Sequence, residues 1–309
     1  MIASPVHQPV KAALIMLAGC LLITLMVVFA RLAAAHHAII EVTFWRNLVG
    51  AACMAIVVAR GRGGFGVLRT GRPFGHLYRA VVGLAGLCLN FWAVTLLPLA
   101  EQTALFFAMP LMTTVLAIFL LSEKVDWRRW AGVLLGFAGI LIMTRPGGDG
   151  VNWFGVCVAL GGAFFTALVA IALRDLGQSE PPNRTVFYFF TLSAAMSACF
   201  LPWFWSTPTP ATLLWLVASG LTGTAGQLLM TRAYTMAPAG FLGPFNYLSI
   251  VYSTFFGWAI WHEWPHNAVF VGMAVVVASG FLSLALEKGR AGARADIAEA
   301  EAEAEANYG

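Results

Sequence analysis

The chain of 309 residues is 60% apolar and only 10% charged, whereas soluble proteins carry roughly 25% charged residues. So few charges cannot cover a water-facing surface, which excludes an ordinary soluble protein and indicates that most of the surface faces lipid. A spanning helix needs about 20 apolar residues, so about ten helices would leave no room for a soluble domain. No basic patch interleaved with aromatic residues occurs, which argues against a nucleic-acid partner.

Apolar runs separated by turn residues and charges predict ten transmembrane helices. The first five cover residues 11–31, 38–59, 76–97, 100–121 and 128–144, and the second five cover 152–173, 185–206, 210–232, 239–261 and 266–286. The first run has no small-residue cleavage site at signal-peptide length, which favours a retained helix. Residues 287–309 form an acidic, Ala/Glu-rich tail that we expect to be cytoplasmic and disordered.

The distribution of basic residues predicts the orientation of these helices. With the N-terminus inside, most arginines and lysines fall in inner connections, and only Arg31 and Arg145 lie near outer helix ends. This bias predicts that both termini are cytoplasmic and that the number of helices is even. We also expect Arg72 and Arg79, before and early in the third helix, to be anchors at the inner surface.

The two halves of the chain resemble each other when one is moved by 140 positions. Gly83 and Gly86 then coincide with Gly223 and Gly226, and Glu123 coincides with Glu263. Each repeat would hold five helices, over residues 11–144 and 152–286. Because five is odd, the second repeat must enter the membrane from the opposite side. Inverted repeats that meet at the bilayer midplane are typical of secondary transporters.

An ordered set of residues resembles the EamA-type ten-helix branch of the drug/metabolite transporter superfamily. The set comprises Phe44-Trp45-Arg46, Arg79, Pro98, Ala104, Pro110, Leu111, Glu123, Trp130, Gly132, Gly136, Gly139, Ala237-Pro238, Tyr247, Glu263 and Gly272. The resemblance covers residues 11 to 287 and implies an all-α transporter without a cofactor. Ile250 replaces the counterpart of Pro110, so the two corresponding helices need not bend alike.

Within that superfamily the sequence looks most like the branch for S-adenosylmethionine uptake. The resemblance lies in Arg72-Pro-Phe, Trp127 to Trp130 and Asn246-Tyr-Leu248. Riboflavin carriers, amino-acid exporters and exporters of amino-acid-derived metallophores are similar as well. The resemblance therefore implies secondary transport of a small polar or zwitterionic metabolite across a bacterial inner membrane. It leaves the substrate, the direction and a homodimeric assembly open.

Polar and aromatic residues of the third, fourth, eighth and ninth predicted helices are the candidate lining of a substrate cavity. They are Asn90, Trp92, Gln102, Phe106, Phe107, Gln227, Tyr234, Asn246, Tyr247, Ser249 and Ser253. The spacing of Asn246, Ser249 and Ser253 places them on one helical face. Polar faces of spanning helices must meet protein or water, so we expect several of these residues to converge near the midplane. Hydrogen bonding between helices is the alternative.

Arg46 lies about two turns into the second helix, and ionisable groups inside a membrane usually face a cavity or a partner. It could hold a carboxylate or phosphate; packing between helices and snorkelling to the outer interface are the alternatives. Glu41, five residues earlier, is an imperfect partner and the one plausible titrating group.

We expect Glu123 and Glu263 to cap helices or to form gating ion pairs. Pro98, Pro110 and Pro238 are expected to be structural.

The string His262-Glu-Trp-Pro-His266 matches the H-E-x-x-H pattern of zinc hydrolases. That chemistry needs both histidines one turn apart on a continuous helix, and Pro265 between them disfavours a helix interior. We therefore expect His262 to end one helix and Pro265-His266 to begin the next, without a metal site. Two competing functions remain: an intramembrane metal-dependent hydrolase that uses His262, Glu263 and His266, and a scaffold or receptor.

Overall fold

The structure is a computed structural model that describes residues 9–61, 63–121, 127–144, 152–237 and 239–279. The first half contains α1 (Pro9–Ala34), α2 (Ile39–Arg60), α3 (Pro73–Leu96), α4 (Leu99–Phe106), α5 (Met109–Leu121) and α6 (Trp127–Thr144). The second contains α7 (Trp153–Leu176), α8 (Pro182–Ala198), a single turn α9 (Leu201–Phe204), α10 (Pro210–Met236), α11 (Ala239–Asn246), α12 (Leu248–Trp261) and α13 (Asn267–Ser279). The described residues contain no strand.

Several of these helices begin where the sequence supplies a start signal. Pro73, Pro182 and Pro210 occupy the first helical turn, where a missing N–H costs nothing. The side chain of Asn152 caps α7 by accepting from Gly155 N, and Thr209 caps α10 in the same way. These signals place most predicted helix boundaries within a few residues of the observed ones.

Six helical stretches in the described part of the chain are long and apolar enough to cross a membrane. They are Val10–Ala34, Ile39–Arg60, Pro73–Leu96, Leu99–Ala117, Trp153–Leu176 and Pro210–Met236. Shorter apolar helices cover Trp130–Met143, Leu248–Trp261 and Asn267–Ser279. The described part of the chain is therefore all-helical, with several apolar helices as in multi-pass membrane proteins.

The fourth and ninth predicted helices are each interrupted. The fourth is divided into α4 and α5 around Phe107, and the ninth into α11 and α12 at Tyr247. Moving α4 by 140 positions places it on α11 residue for residue, so both breaks occur at equivalent positions. Pro110 lies in the first turn of α5, where proline is tolerated. Its replacement by Ile250 in the second half does not remove the break.

Helix contacts between the two halves follow the same 140-residue relation. α1 packs against α10 as α7 packs against α3, and α4 and α5 contact α7 as α11 and α12 contact α1. α6 and α13 cross where Gly139 meets Gly272: a Cβ on Gly139 would lie 2.9 Å from the Gly272 carbonyl oxygen. The largest buried cluster includes Ala104, Ile140 and Ile250, and Phe107 and Tyr247 pack on it. The core thus surrounds the two interruptions.

Candidate functional site

The two interruptions meet at an aromatic pair. The rings of Phe107 and Tyr247, which are equivalent in the 140-residue shift, have centroids 4.8 Å apart. An interrupted helix leaves backbone groups outside its regular hydrogen-bond ladder. In membrane carriers such discontinuous helices form the substrate site near the midplane, between the repeats. Phe107 and Tyr247 therefore mark the centre of the candidate site.

Two polar side-chain pairs connect the interrupted helices to the helices that precede them. Gln102 Nε2 donates to Asn90 Oδ1 at 2.8 Å, and Asn90 Nδ2 donates to the Gly86 carbonyl oxygen at 3.0 Å. On the other side, Asn246 Nδ2 donates to the hydroxyl oxygen of Tyr234 at 3.1 Å. In each pair the two residues are twelve positions apart and join the third to the fourth predicted helix, or the eighth to the ninth. Gln102 is buried, whereas Tyr234 is 42% exposed.

The structure places other predicted cavity residues elsewhere. Trp92 is 41% exposed and packs edge-on against Phe154, with ring centroids 5.2 Å apart. Gln227 is exposed on α10. The expectation of one continuous polar face is wrong for Ser249 and Ser253, because the interruption at Tyr247 separates them from the helix of Asn246.

The local contacts of three further candidates favour a packing role. Ser253 is fully buried and donates to the Ile250 carbonyl oxygen at 3.0 Å. Ser249 is half-buried near the Cys20 thiol. Phe106 packs against the large buried cluster. An apolar surface groove of about 440 Å³ between α2, α3 and α8 is lined by none of the predicted cavity residues.

Arg46 is buried and points to the middle of a neighbouring helix. Its guanidinium carbon lies 4.8 Å from the ring centroid of Phe190 and 5.7 Å from that of Phe189, and both rings belong to the centre of α8. One terminal nitrogen donates to Asn47 Oδ1 at 2.9 Å. The side chain is 6% exposed, so the structure shows no snorkelling to the near end of α2.

Arg79 is a functional candidate that the sequence analysis missed. The expectation of an inner-surface anchor is wrong, since Arg79 is 7% exposed and its guanidinium carbon lies 4.2 Å from the Phe189 ring centroid. Arg72 does lie at the surface, where it pairs with Asp175 at 2.6 Å. The predicted start of the third helix at residue 76 placed Arg79 within the first turn, whereas the observed α3 begins at Pro73 and puts Arg79 nearly two turns inside, about as deep as Arg46 in α2.

Glu263 forms a clasp at the end of the molecule where α1 finishes. Its two carboxylate oxygens accept from both terminal nitrogens of Arg31, at 2.7 and 2.5 Å. One of them also accepts from the backbone N–H of Leu99, at 3.2 Å, which is the first residue of α4. Glu263 therefore both caps a helix and forms an ion pair, but the capped helix belongs to the other half of the chain.

Glu41 lies at the same end and is completely buried. One carboxylate oxygen accepts from the backbone and the hydroxyl of Ser206, at 3.2 and 3.0 Å, and lies 3.2 Å from His37 Nδ1. These contacts join the start of α2 to the connection before α10. Glu41 does not pair with Arg46.

Glu180 has the corresponding role at the opposite end, and sequence reasoning did not single it out. Its carboxylate accepts from Thr70 at 2.7 Å and from Arg184 at 2.5 Å, and lies 3.5 Å from His76 Nε2. Burial acts to raise the pKa of Glu180, but the hydrogen bonds from Thr70 and Arg184 outweigh it and hold the pKa below its ordinary value. These contacts fasten the α2–α3 connection to the start of α8.

The His262–His266 segment does not form the helix that zinc-hydrolase chemistry needs. α12 ends at Trp261, and His262 adopts the left-handed conformation (φ 57°) that often terminates helices. His266 Nδ1 accepts from Ala268 N at 3.3 Å, at the start of α13. The described residues contain no group of three or more His, Cys, Asp or Glu side chains placed to hold a metal ion. His262 thus ends one helix and His266 precedes the next, as the proline predicted.

The remaining predicted structural residues fall into two groups. Pro98 occupies the N-cap position of α4, next to Leu99. Glu123, Pro238 and the acidic tail at 287–309 lie outside the described residues.

Comparison with known proteins identifies relatives over most of the chain. Residues 10–145 and 153–285 each match the profile of the EamA-like transporter family. An S-adenosylmethionine uptake transporter of Rickettsia bellii is 27% identical over 80% of this chain and 84% of its own length. A riboflavin transporter of Vibrio cholerae is 27% identical over 88% of this chain and 92% of its own length. A pseudopaline exporter of Pseudomonas aeruginosa is 27% identical over 77% of this chain and 83% of its own length.

A solved crystal structure shares the fold. The superposition covers 91% of this chain and 98% of the chain in the crystal structure, with a TM-score of 0.62 and 23% sequence identity. That similarity concerns the arrangement of the helices alone.

Proposed function

The chain belongs to the EamA-like transporter family, and from that premise we propose that it is a secondary carrier of a small polar or zwitterionic organic metabolite. It would work by alternating access in a bacterial inner membrane. The observation that carries the proposal is the meeting of two interrupted helices at Phe107 and Tyr247. Interrupted helices that face each other between two repeats are the recurring binding arrangement of secondary carriers.

The proposed architecture has ten spanning helices in two inverted repeats, with both termini in the cytoplasm. The recurrence of helix contacts under the 140-residue shift supports it, because α1–α10 and α7–α3 are equivalent pairs. The opposite locations of the Glu41 and Glu180 clusters support the inversion. Two nearly equivalent halves give inward-open and outward-open states of similar energy, as alternating access requires.

The names of the relatives support the class of cargo and leave its identity open. They include S-adenosylmethionine uptake, riboflavin transport and pseudopaline export, so both directions of transport occur among them. We propose an amino-acid-derived compound as cargo, with riboflavin as the alternative within the same fold. The amides of Asn90 and Asn246 and the Phe107–Tyr247 pair would supply hydrogen bonds and an aromatic surface.

Counterflow into proteoliposomes tests this proposal. The purified full-length chain is reconstituted with an internal pool of unlabelled S-adenosylmethionine, riboflavin or methionine, and uptake of the same labelled compound is followed. We expect accumulation of at least one compound above protein-free vesicles. Replacing Tyr247 by Ala should abolish it, whereas Trp258→Ala, at a side chain 51% exposed on the helix that follows Tyr247, should not. Equal uptake by protein-containing and protein-free vesicles for all three compounds would defeat the cargo class.

A further inference from the structure

Two buried arginines from different helices converge on one aromatic ring. The guanidinium carbons of Arg46 on α2 and Arg79 on α3 lie 5.7 and 4.2 Å from the ring centroid of Phe189 on α8. The side chains are 6% and 7% exposed. Two positive charges therefore converge on one ring in the interior, and α3, which carries Arg79, also carries Asn90 of the candidate site.

Several nitrogens of these two cations lack the acceptors that buried charges normally have. Nε of Arg46 and both Nε and Nη1 of Arg79 are buried without a hydrogen-bond acceptor in the described part of the chain. Neither arginine forms an ion pair with a described carboxylate. Glu41, the acidic residue on the same helix as Arg46, is instead held by Ser206 and His37. A buried charge without an acceptor is strongly unfavourable unless something neutralises it.

We propose that Arg46 and Arg79 form an anion-binding site, with Phe189 beside it, that holds the carboxylate or phosphate group of the transported molecule. A planar anionic group accepts two hydrogen bonds from a guanidinium, which makes arginine the usual residue for such groups. The unpartnered nitrogens of Arg46 and Arg79 supply the donors. This inference rests on the proposed carrier function and narrows its cargo to molecules with an anionic group.

Glycines of two neighbouring helices lie beside this arrangement, and one of them allows it to form. A Cβ on Gly83 of α3 would lie 2.6 Å from the Phe189 ring, so only glycine lets the ring approach Arg79 closely. Gly223 of α10 is a neighbour of Arg46, since a Cβ there would be in ordinary van der Waals contact with Nε, at 3.5 Å. The site therefore combines helices of both halves, α2 and α3 with α8 and α10, as a site between alternating units must.

Thermal unfolding with a simple probe pair tests the anion site without knowledge of the cargo. Benzoate combines a carboxylate with an aromatic ring, and benzamide is its uncharged counterpart of the same shape. The full-length protein in neutral detergent is titrated with each at constant ionic strength, and unfolding is followed by tryptophan fluorescence. We expect benzoate to raise the unfolding midpoint of the wild type, and benzamide to leave it unchanged.

Substitutions of the two arginines test whether benzoate binds between them. In Arg46→Gln and Arg79→Gln the benzoate shift should disappear, with an apparent Kd weakened about tenfold or more. Arg72→Gln is the matched control, because Arg72 lies at the start of the same helix as Arg79 but pairs with Asp175 at the surface. It should keep the full shift. A benzoate shift that persists in both inner variants would overturn the proposal. If neither variant folds, equal effects of benzoate and benzamide on the wild type would overturn it.

A second experiment distinguishes binding of a cargo anion from binding of a lipid, because a phospholipid headgroup also carries a phosphate. The titration is repeated with phosphatidylglycerol or phosphatidylcholine added to the micelles. Stabilisation by phosphatidylglycerol that depends on Arg79, with no further effect of benzoate, would assign the site to lipid and overturn the proposal. Counterflow is measured separately: a benzoate shift without counterflow refutes the carrier function alone, and counterflow without a benzoate shift refutes the anion site alone.

Discussion

The Arg31–Glu263 clasp offers a quantitative test of how the two halves are held together. The ion pair is bidentate, with distances of 2.7 and 2.5 Å, and its side chains are only 12% and 25% exposed. It connects α1 with the segment between α12 and α13, and through Leu99 N with α4. Removing the charge of either partner should therefore destabilise the folded protein.

The expected magnitude follows from burial and geometry. Arg72–Asp175 is also short, at 2.6 Å, but its side chains are 39% and 56% exposed, and exposed pairs contribute about 0–1 kcal/mol. Close charge pairs that are largely desolvated show coupling energies from about 1.5 kcal/mol upwards. We therefore expect about 2 kcal/mol for Arg31–Glu263 and less than about 1 kcal/mol for the control pair.

Two double-mutant cycles measure these couplings. One uses Arg31→Met, Glu263→Gln and both together, and the other uses Arg72→Met, Asp175→Asn and both together. Free energies of unfolding come from reversible denaturant titration in detergent. The cycle is needed because Arg31 also lies over the Trp261 ring, 4.3 Å from its centroid, and this contact would inflate the single variant. A coupling for Arg31–Glu263 no larger than that of the control pair would refute the reasoning.

Three further predictions concern packing, pH and the amide pair. Gly139→Ala should lower the unfolding midpoint, because the new Cβ would lie 2.9 Å from the backbone of α13. Gly71→Ala is the control and should leave the midpoint unchanged, because a Cβ there would have no atom within 4 Å. Equal midpoints for the two variants would contradict the close crossing of α6 and α13. Because the folded pKa of Glu180 lies below its ordinary value of 4.5, the stability that its carboxylate contributes is complete above pH 4.5 and is lost as the pH falls through the lower folded pKa. Unfolding scans from pH 7 to 3 should show this loss in the wild type and not in Glu180→Gln. Gln102→Leu removes the donor to Asn90 Oδ1 and should cost about 1–2 kcal/mol of unfolding free energy. The same substitution made in the Asn90→Leu variant should cost less, because the hydrogen bond between the two side chains is already absent.

The sequence predicted the helices well because hydropathy and proline positions act locally. The expected run 38–59 corresponds to α2 at Ile39–Arg60, and 239–261 corresponds to α11 and α12 together. The interruptions at Phe107 and Tyr247 were not predicted, since neither residue is a glycine or proline that marks a break. Pro110 in the first turn of α5 is a local signal for the first interruption, but the apolar pattern continues across both and does not mark them.

The contacts of charged residues were harder to predict than the helices. Hydropathy gives the depth of a residue along a helix but not the neighbours that it meets. Arg79, early in the third predicted helix, was expected to be an anchor at the inner surface, whereas the aromatic ring that covers it comes from α8, more than 100 residues later. Glu263 was expected near a helix N-terminus, and it does cap one, but the capped residue is Leu99 in the other half.

The two-fold relation of the backbone does not extend to the buried charges. The 140-residue shift places Val186 opposite Arg46 and Ser219 opposite Arg79. Ser219 donates to the Met26 carbonyl oxygen at 3.0 Å and is fully buried. The two buried arginines that converge on Phe189 therefore both belong to the first half. Helix packing is preserved by small and apolar residues that both halves repeat, whereas recognition of cargo needs charges in one place only. With an anion bound as proposed, the cargo would have a fixed orientation, because its negative end would be held by α2 and α3 alone.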